Sequence, residues 1–289
     1  MIDSESDNVI SVDELRTRFD EAREGYADAA PFPHVVLDDV LPAGVFADAV
    51  AEFPAPDDAS WKGYLHVNEA KFANPDASTW GPTIQSVADA FCSDDFVKWL
   101  GELTGFEHLI ADRAMDGGGL HQTLRGGHLN IHADFTTHHC HRNWRRRINI
   151  LLYLNEVWRP GWGGALELWD SDVRACVTSV EPRPNRMLIF TTSGDAYHGH
   201  PEPLECPDGM ARRSLALYYF TEEDRPTRRS TTYRPRPSDG ANKGVAIWAD
   251  RHLLGAYDTV KTRLGLSDRT ASRVLGVVHR VATRFLQKP

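Results

Sequence analysis

Apolar residues recur at three- and four-residue spacing between Ser11 and Ala30, at Val12, Leu15, Phe19, Ala22 and Tyr26, and that period predicts an amphipathic helix. Ser11 stands at the N-cap position with Glu14 three residues on, the arrangement of a capping box, and Pro31 and Pro33 end the helix. The stretch from His34 to Leu41 reads as a strand running into a turn at Pro42. Val45 to Phe53 reads as a second helix, and Ile84 to Leu103 as a third, with Phe91, Val97, Trp99 and Leu100 on its apolar positions.

Beyond Gly117, Gly118 and Gly119 the texture changes to short strands divided by glycine and proline. They cover 129–135, 147–154, 165–169, 173–180, 186–192 and 212–220. Strands of this length at close spacing predict a mainly β domain with flanking helices, closed as a barrel or jelly roll. Gly163 and Gly164 suit a tight turn before the strand that ends at Trp169, and Pro182, Pro184 and Asn185 mark another. After Pro226 the chain turns basic at Arg228, Arg229, Arg234 and Arg236. It ends in a stripe of Val274, Val278, Val281 and Phe285 among arginines, read as a helix packed on its own domain or lying on an acidic surface. The organisation expected is an N-terminal helical extension over 1–30, a catalytic domain over 31–235 and a basic helical extension over 236–289.

Composition narrows the function. The 289 residues carry a formal charge of −9, which disfavours a general grip on phosphate backbones and with it nucleic-acid repair. Cys92, Cys140, Cys176 and Cys206 lie far apart without a CxxC pair, so they read as free thiols in a reducing compartment. There is no run of eighteen apolar residues and the first residues are acidic and polar, so no membrane span or secretory signal is expected and the protein is placed in the cytoplasm.

Chemistry concentrates on one strand. In Leu129-Asn130-Ile131-His132-Ala133-Asp134-Phe135, alternation turns Asn130, His132 and Asp134 to one side and Ile131, Ala133 and Phe135 to the other. Downstream stands a pair of histidines, His198 and His200, and then Arg212 and Ser214. Two imidazoles and one carboxylate on one face of an iron leave the opposite face open, which is the ligand set of non-haem Fe(II) oxygenases. In Arg212-Arg213-Ser214 the same parity puts a guanidinium beside a hydroxyl, a receptor for a carboxylate, and turns Arg213 to solvent.

These segments, with Asn149 to Asn155, Gly163 to Trp169 and Tyr197 to Pro201, resemble the 2-oxoglutarate and Fe(II)-dependent dioxygenase superfamily, and within it the prolyl-4-hydroxylase-like group, over roughly residues 30–235. The resemblance implies a double-stranded β-helix (a cupin-like jelly roll), with Fe(II), 2-oxoglutarate and O2 as cofactor and co-substrates. It also implies His132, Asp134 and His198 as metal ligands and Arg212 with Ser214 as the 2-oxoglutarate anchor. His198 is preferred to His200 because a histidine followed by glycine recurs here in similar sequences. Because Asp134 is present, halogenation is not expected. One departure from the pattern is the loop from Pro201 to Gly209, which lengthens the interval to Arg212.

Three functions compete: hydroxylation of a small molecule such as an amino acid or secondary metabolite, hydroxylation of prolyl residues in a protein, and a metal-binding sensor without turnover. Other groups have simpler readings. His138-His139-Cys140-His141 offers soft-metal ligands, but contiguous ligands close a tetrahedron poorly, so it reads as a loop near the site mouth. Trp144 and Arg145, Arg146 and Arg147 read as a solvated loop, with contact to an acidic substrate as the alternative. Trp61, Lys71 and Trp80 read as a substrate lid or as packing.

Overall fold

The computed structural model describes residues 9–247. Its elements are α1 (Val12–Tyr26), β1 (His34–Leu37), α2 (Ala43–Ala51), β2 (Lys62–His66), β3 (Glu69–Asn74), α3 (Pro82–Phe91), α4 (Asp94–Thr104) and β4 (Ile110–Ala111). They continue as β5 (Gly119–Leu124), β6 (Leu129–Ala133), β7 (Trp144–Tyr153), β8 (Leu166–Trp169), β9 (Cys176–Val180), β10 (Met187–Thr191), β11 (His198–His200), β12 (Ala211–Glu222) and β13 (Thr232–Tyr233). The strands form one sheet in the order β1-β10-β7-β12-β5-β3-β6-β11-β8-β9, with β2 on β3, β4 on β12 and β13 on β6. Every pairing is antiparallel, and the sheet curls into a nearly closed barrel, the double-stranded β-helix expected. The two walls meet where Leu166 and Leu168 pack on Leu188 and Phe190.

Period-two alternation divides β7 and β12 between two environments. Ile148, Ile150 and Leu152, with Leu215, Leu217 and Tyr219, face outward and share a core with Leu15 and Tyr26 of α1 and with α3 and α4. Asn149 and Tyr153, with Arg212, Ser214 and Tyr218, belong to the inner face. Helices therefore cover one wall of the barrel, and its polar residues are kept for the interior.

The N-terminal helix starts as its sequence suggests, with the Ser11 hydroxyl accepting from the Glu14 N–H at 3.2 Å. Two expectations are corrected. Residues 84–103 are two helices, because Ser93 adopts an extended conformation and caps α4 by accepting from Phe96 N–H, and the apolar spacing runs unbroken across that joint. The strand expected from Val173 begins only at Cys176: Val173 has φ of 58°, in a turn tied by Asp170, which accepts from the N–H groups of Asp172, Arg174 and Ala175. The C-terminal stripe from Val274 onward lies outside the described residues.

The turn marked by Asn185 joins the helical layer to the sheet. Asn185, itself at φ 55°, accepts from Leu41 N–H at 2.9 Å and donates to Leu41 O at 2.8 Å, both within the buried core. Asn185→Ala strands two buried backbone groups and places alanine in the left-handed region, so it should cost about 2–4 kcal/mol. Urea unfolding checks this, with the midpoint expected to fall and the slope to stay constant.

Candidate metal centre

Strand β11 lies antiparallel to β6 with His198 opposite His132. Their ring centroids are 4.5 Å apart. Asp134 follows the last residue of β6, and its carboxylate completes the group: Oδ1 is 3.5 Å from His132 Nε2, and Oδ2 is 3.6 Å from His198 Nε2. The candidate ligand atoms of His132, Asp134 and His198 all lie within 4.8 Å of one another, and no other such group of three occurs among the described residues. Both histidines are 5% exposed.

The donor chemistry fits a divalent metal. His132 Nδ1 donates to Asn130 O and His198 Nδ1 donates to Ala196 O, each at 2.9 Å, because a carbonyl can only accept. Each ring is thereby fixed in the tautomer that turns an Nε2 lone pair toward the centre, as metal-bound imidazoles require. Burial, reinforced by the neighbouring His132, pushes His198 down to about 4, so it is neutral at pH 7. Burial opposes ionisation of Asp134, but the charges of Arg146, His198 and His132 outweigh it and hold the carboxyl well below its usual range.

His200 is also buried, at 3% exposure, but stays outside the group of three. A bulge falls between His198 and His200. Gly199 permits it: a Cβ there would come within 2.7 Å of Leu129 O and 2.8 Å of Asn130 O. Nδ1 of His200 has no hydrogen-bond partner among the described residues. Burial and then the charges of Arg212 and Lys71 keep its ring neutral.

On β12, Arg212 is 6% exposed and Ser214 2%, whereas Arg213 faces the other way. Arg213 is not solvated at a strand edge, as expected, but half-buried with its guanidinium 5.2 Å from the centre of the Phe53 ring. Arg212 donates from Nε to Gly164 O at 2.7 Å and from an Nη to the Tyr153 hydroxyl at 3.0 Å. The predicted glycine turn explains that carbonyl: Gly164 has φ of +75°, and a Cβ would press on Leu204 at 2.7 Å and on Arg212 Cδ at 3.1 Å. The guanidinium is thus held in one orientation by the fold itself. The longer loop before β12 packs back on the barrel, with Leu204 and Cys206 buried against Trp158, and leaves Arg212 paired with Thr123 of β5.

Other residues at the site either escaped the sequence or, like Lys71, were read there as lid or packing. Lys71 projects from β3, with Nζ 3.0 Å from Glu69 Oε2, while Glu69 Oε1 accepts from His66 Nε2 at 2.9 Å. His121 of β5, across from Ser214, is pushed down to about 3 by burial and then by Lys71. Arg146, assigned above to a solvated loop, is 2% exposed, with an Nη 3.2 Å from Asp134 Oδ2, and Asn149 Nδ2 donates to the same oxygen at 2.7 Å. Alternation on β7 was the available signal for Asn149; Arg146 reaches the same face only because the register with β12 shifts between Ile148 and Arg146, a bulge that three consecutive arginines do not announce. The His138 ring is buried; its Nδ1 accepts from the N–H groups of Cys140 and His141, which makes it a turn-forming residue. Trp80 is buried too, and Trp61 lies half-buried against Phe53.

Comparison with known proteins agrees with this geometry. Residues 118–220, which span β5 to β12 with the triad and Arg212, match the 2OG-Fe(II) oxygenase superfamily. No curated protein matches the chain by sequence. Among solved structures, a prolyl-4-hydroxylase from Pseudomonas putida is similar at 19% identity and TM-score 0.50, over 70% of this chain and 99% of that one. A prolyl hydroxylase from Trichoplax adhaerens, in complex with a hypoxia inducible factor peptide fragment, is similar at 15% identity and TM-score 0.54, over 74% of this chain and 95% of that one. No helix of the described residues is long and apolar enough to cross a membrane. The barrel, the buried His–Asp–His group and the matched segment agree: over residues 118–220 this chain is similar to the 2OG-Fe(II) oxygenase superfamily, oxidoreductases whose chemistry uses Fe(II), 2-oxoglutarate and O2.

Proposed function

We propose that the enzyme hydroxylates an unactivated C–H of a small molecule, with His132, Asp134 and His198 holding the iron and Arg212 with Ser214 receiving the distal carboxylate of 2-oxoglutarate. The catalytic domain on this reading is 31–235. The observation that carries it is the pair of carbonyl-locked imidazoles facing one carboxylate. Iron, 2-oxoglutarate and O2 together would supply an oxidant able to take a hydrogen atom from carbon, with release of succinate and CO2.

The chain's own residues orient and enclose. Three protein ligands leave half of an octahedron for co-substrate and gas. The Gly164 carbonyl and the Tyr153 hydroxyl hold the Arg212 guanidinium in place, so its remaining N–H groups meet a carboxylate without first losing side-chain freedom. Tyr153 keeps its proton, because burial raises its pKa more than Arg212 lowers it. Low exposure of all three candidate ligands supports a substrate small enough to be enclosed. Four unpaired cysteines support a reducing, cytoplasmic setting.

A second reading, hydroxylation of a prolyl residue in a protein, is favoured by β2, which pairs only with β3 among the described residues and exposes Tyr64 and Leu65 at 42% and 58%. Leu65→Asp separates the two. Turnover of a prolyl peptide should fall several-fold in this variant, whereas turnover of a small substrate should not change.

His132→Ala, Asp134→Ala and His198→Ala should each abolish succinate formation and weaken metal binding by more than about 100-fold, whereas His200→Ala should keep metal affinity within a few-fold. Equilibrium metal titration under nitrogen reads this directly, and an exchange of the His198 and His200 results would overturn the choice of ligand. Arg212→Ala should raise the 2-oxoglutarate requirement roughly 10- to 100-fold with metal still bound. Arg213→Ala should leave it unchanged; equal damage from both would defeat the assignment of faces on β12.

A further inference from the structure

We propose that Arg146 and Asn149 are positioning residues that fix the orientation of Asp134, so that it presents a single oxygen to the metal. The inference rests on the reading of Asp134 as a ligand.

The chain of contacts has a direction. Arg146 Nε donates to Asn149 Oδ1 at 2.7 Å, and this bond decides which way the amide faces. With Oδ1 occupied, Nδ2 is left to donate to Asp134 Oδ2 at 2.7 Å. Oδ2 therefore receives an amide hydrogen bond and, at 3.2 Å, the charge of an Arg146 Nη. Both draw electron density from Oδ2, and the hydrogen bond occupies a lone pair, so Oδ1 is the better metal donor. A carboxylate held this way resists swinging into a two-oxygen grip, which would consume a coordination position that co-substrate or gas needs.

Arg146 does not reach for substrate. Its guanidinium carbon lies 3.4 Å from the Tyr218 ring centre and 4.6 Å from that of Phe135, and its side chain is 1% exposed. Neither Nη has a hydrogen-bond partner among the described residues, which leaves the Nε bond to Asn149 as its directional contact. Arg146 therefore acts through Asn149 and Asp134.

The test reads metal geometry without turnover. Co(II) replaces iron in the full chain, its affinity is titrated, and its visible spectrum at saturation reports the number and type of ligands. Asn149→Ala removes a neutral partner. Arg146→Met removes both charge and donor, and Arg146→Gln restores a donor at the position of Nε without the charge. Asn149→Ala should weaken Co(II) about 10- to 100-fold and shift the saturated spectrum. Arg146→Met should shift it in the same direction, and Arg146→Gln should return it to the wild-type form, a rescue that a merely structural role would not produce. Circular dichroism of the metal-free proteins identifies any variant that does not fold; if Arg146→Met is one, Asn149→Ala decides alone. Wild-type affinity and spectrum in Asn149→Ala, alongside loss of metal in Asp134→Ala, would overturn the inference and leave the ligand reading intact. Undiminished binding by Asp134→Ala would instead remove the ligand reading itself. An Arg146→Gln spectrum that follows Arg146→Met would overturn the relay through Asn149.

Discussion

The site depends on the antiparallel pairing of β6 with β11, which sets His198 opposite His132. Residues far apart in the chain become neighbours through a ladder whose spacing is fixed by backbone hydrogen bonds, so their separation needs no side-chain adjustment. Gly199 makes the approach possible, since any Cβ at that point would strike the β6 carbonyls. The carbonyls of Asn130 and Ala196 then lock the two rings, each with Nδ1 protonated. Position and tautomer are therefore properties of the folded backbone, present before a metal binds. Such a site sits on strands, where a ligand can be held more accurately than on a loop.

Charge inside the barrel is arranged by the same economy of paired groups. Lys71 is matched by Glu69, and Arg146 by Asp134. Buried ion pairs add little to stability against well-packed apolar alternatives, because desolvation offsets most of the Coulombic gain. These pairs are better understood by what they keep in place: ionised carboxylates and neutral imidazoles at pH 7. Arg212 differs. Its partners are a carbonyl and a phenol, both neutral, so among the described residues its charge has no carboxylate beside it. That imbalance is what the proposed role of Arg212, receiving a carboxylate, requires.

Much of this was legible in the sequence, and the limits have physical causes. His132 and Asp134 declared themselves by strict alternation on an apolar strand, and Arg212 against Arg213 by the same parity. The long helix over 84–103 was misread because Ser93 interrupts the backbone without disturbing the apolar spacing. Strands β2 and β3 were missed because Lys71 and Glu69 place charges on the inner face of β3, where a period-two reading expects apolar residues. Arg146 was hidden for a related reason: three arginines in a row look solvated, yet on β7 the first and last stand half-buried toward Glu223 while the middle one turns in to Asp134. In each case a polar residue in the interior cannot be told from a surface one until its partner is known, and the partners lie on other strands.

The loop from Pro201 to Gly209 shows why added length need not move a site. Closing a longer loop costs entropy that grows only with the logarithm of its length, and buried contacts can offset it. Here Leu204 and Cys206 pack on Trp158, and backbone bonds run from Leu204 N–H to Gly127 O and from Gly126 N–H to Leu204 O. The loop is therefore fastened to the β5–β6 turn before the chain enters β12. From there the register is imposed by β5 on one side and β7 on the other, with Ser214 opposite both His121 and Tyr153. A strand gripped along both edges cannot slip by one residue without turning Leu215, Leu217 and Tyr219 out of their core. The position of Arg212 is thus fixed by the sheet, independently of the number of residues that precede it.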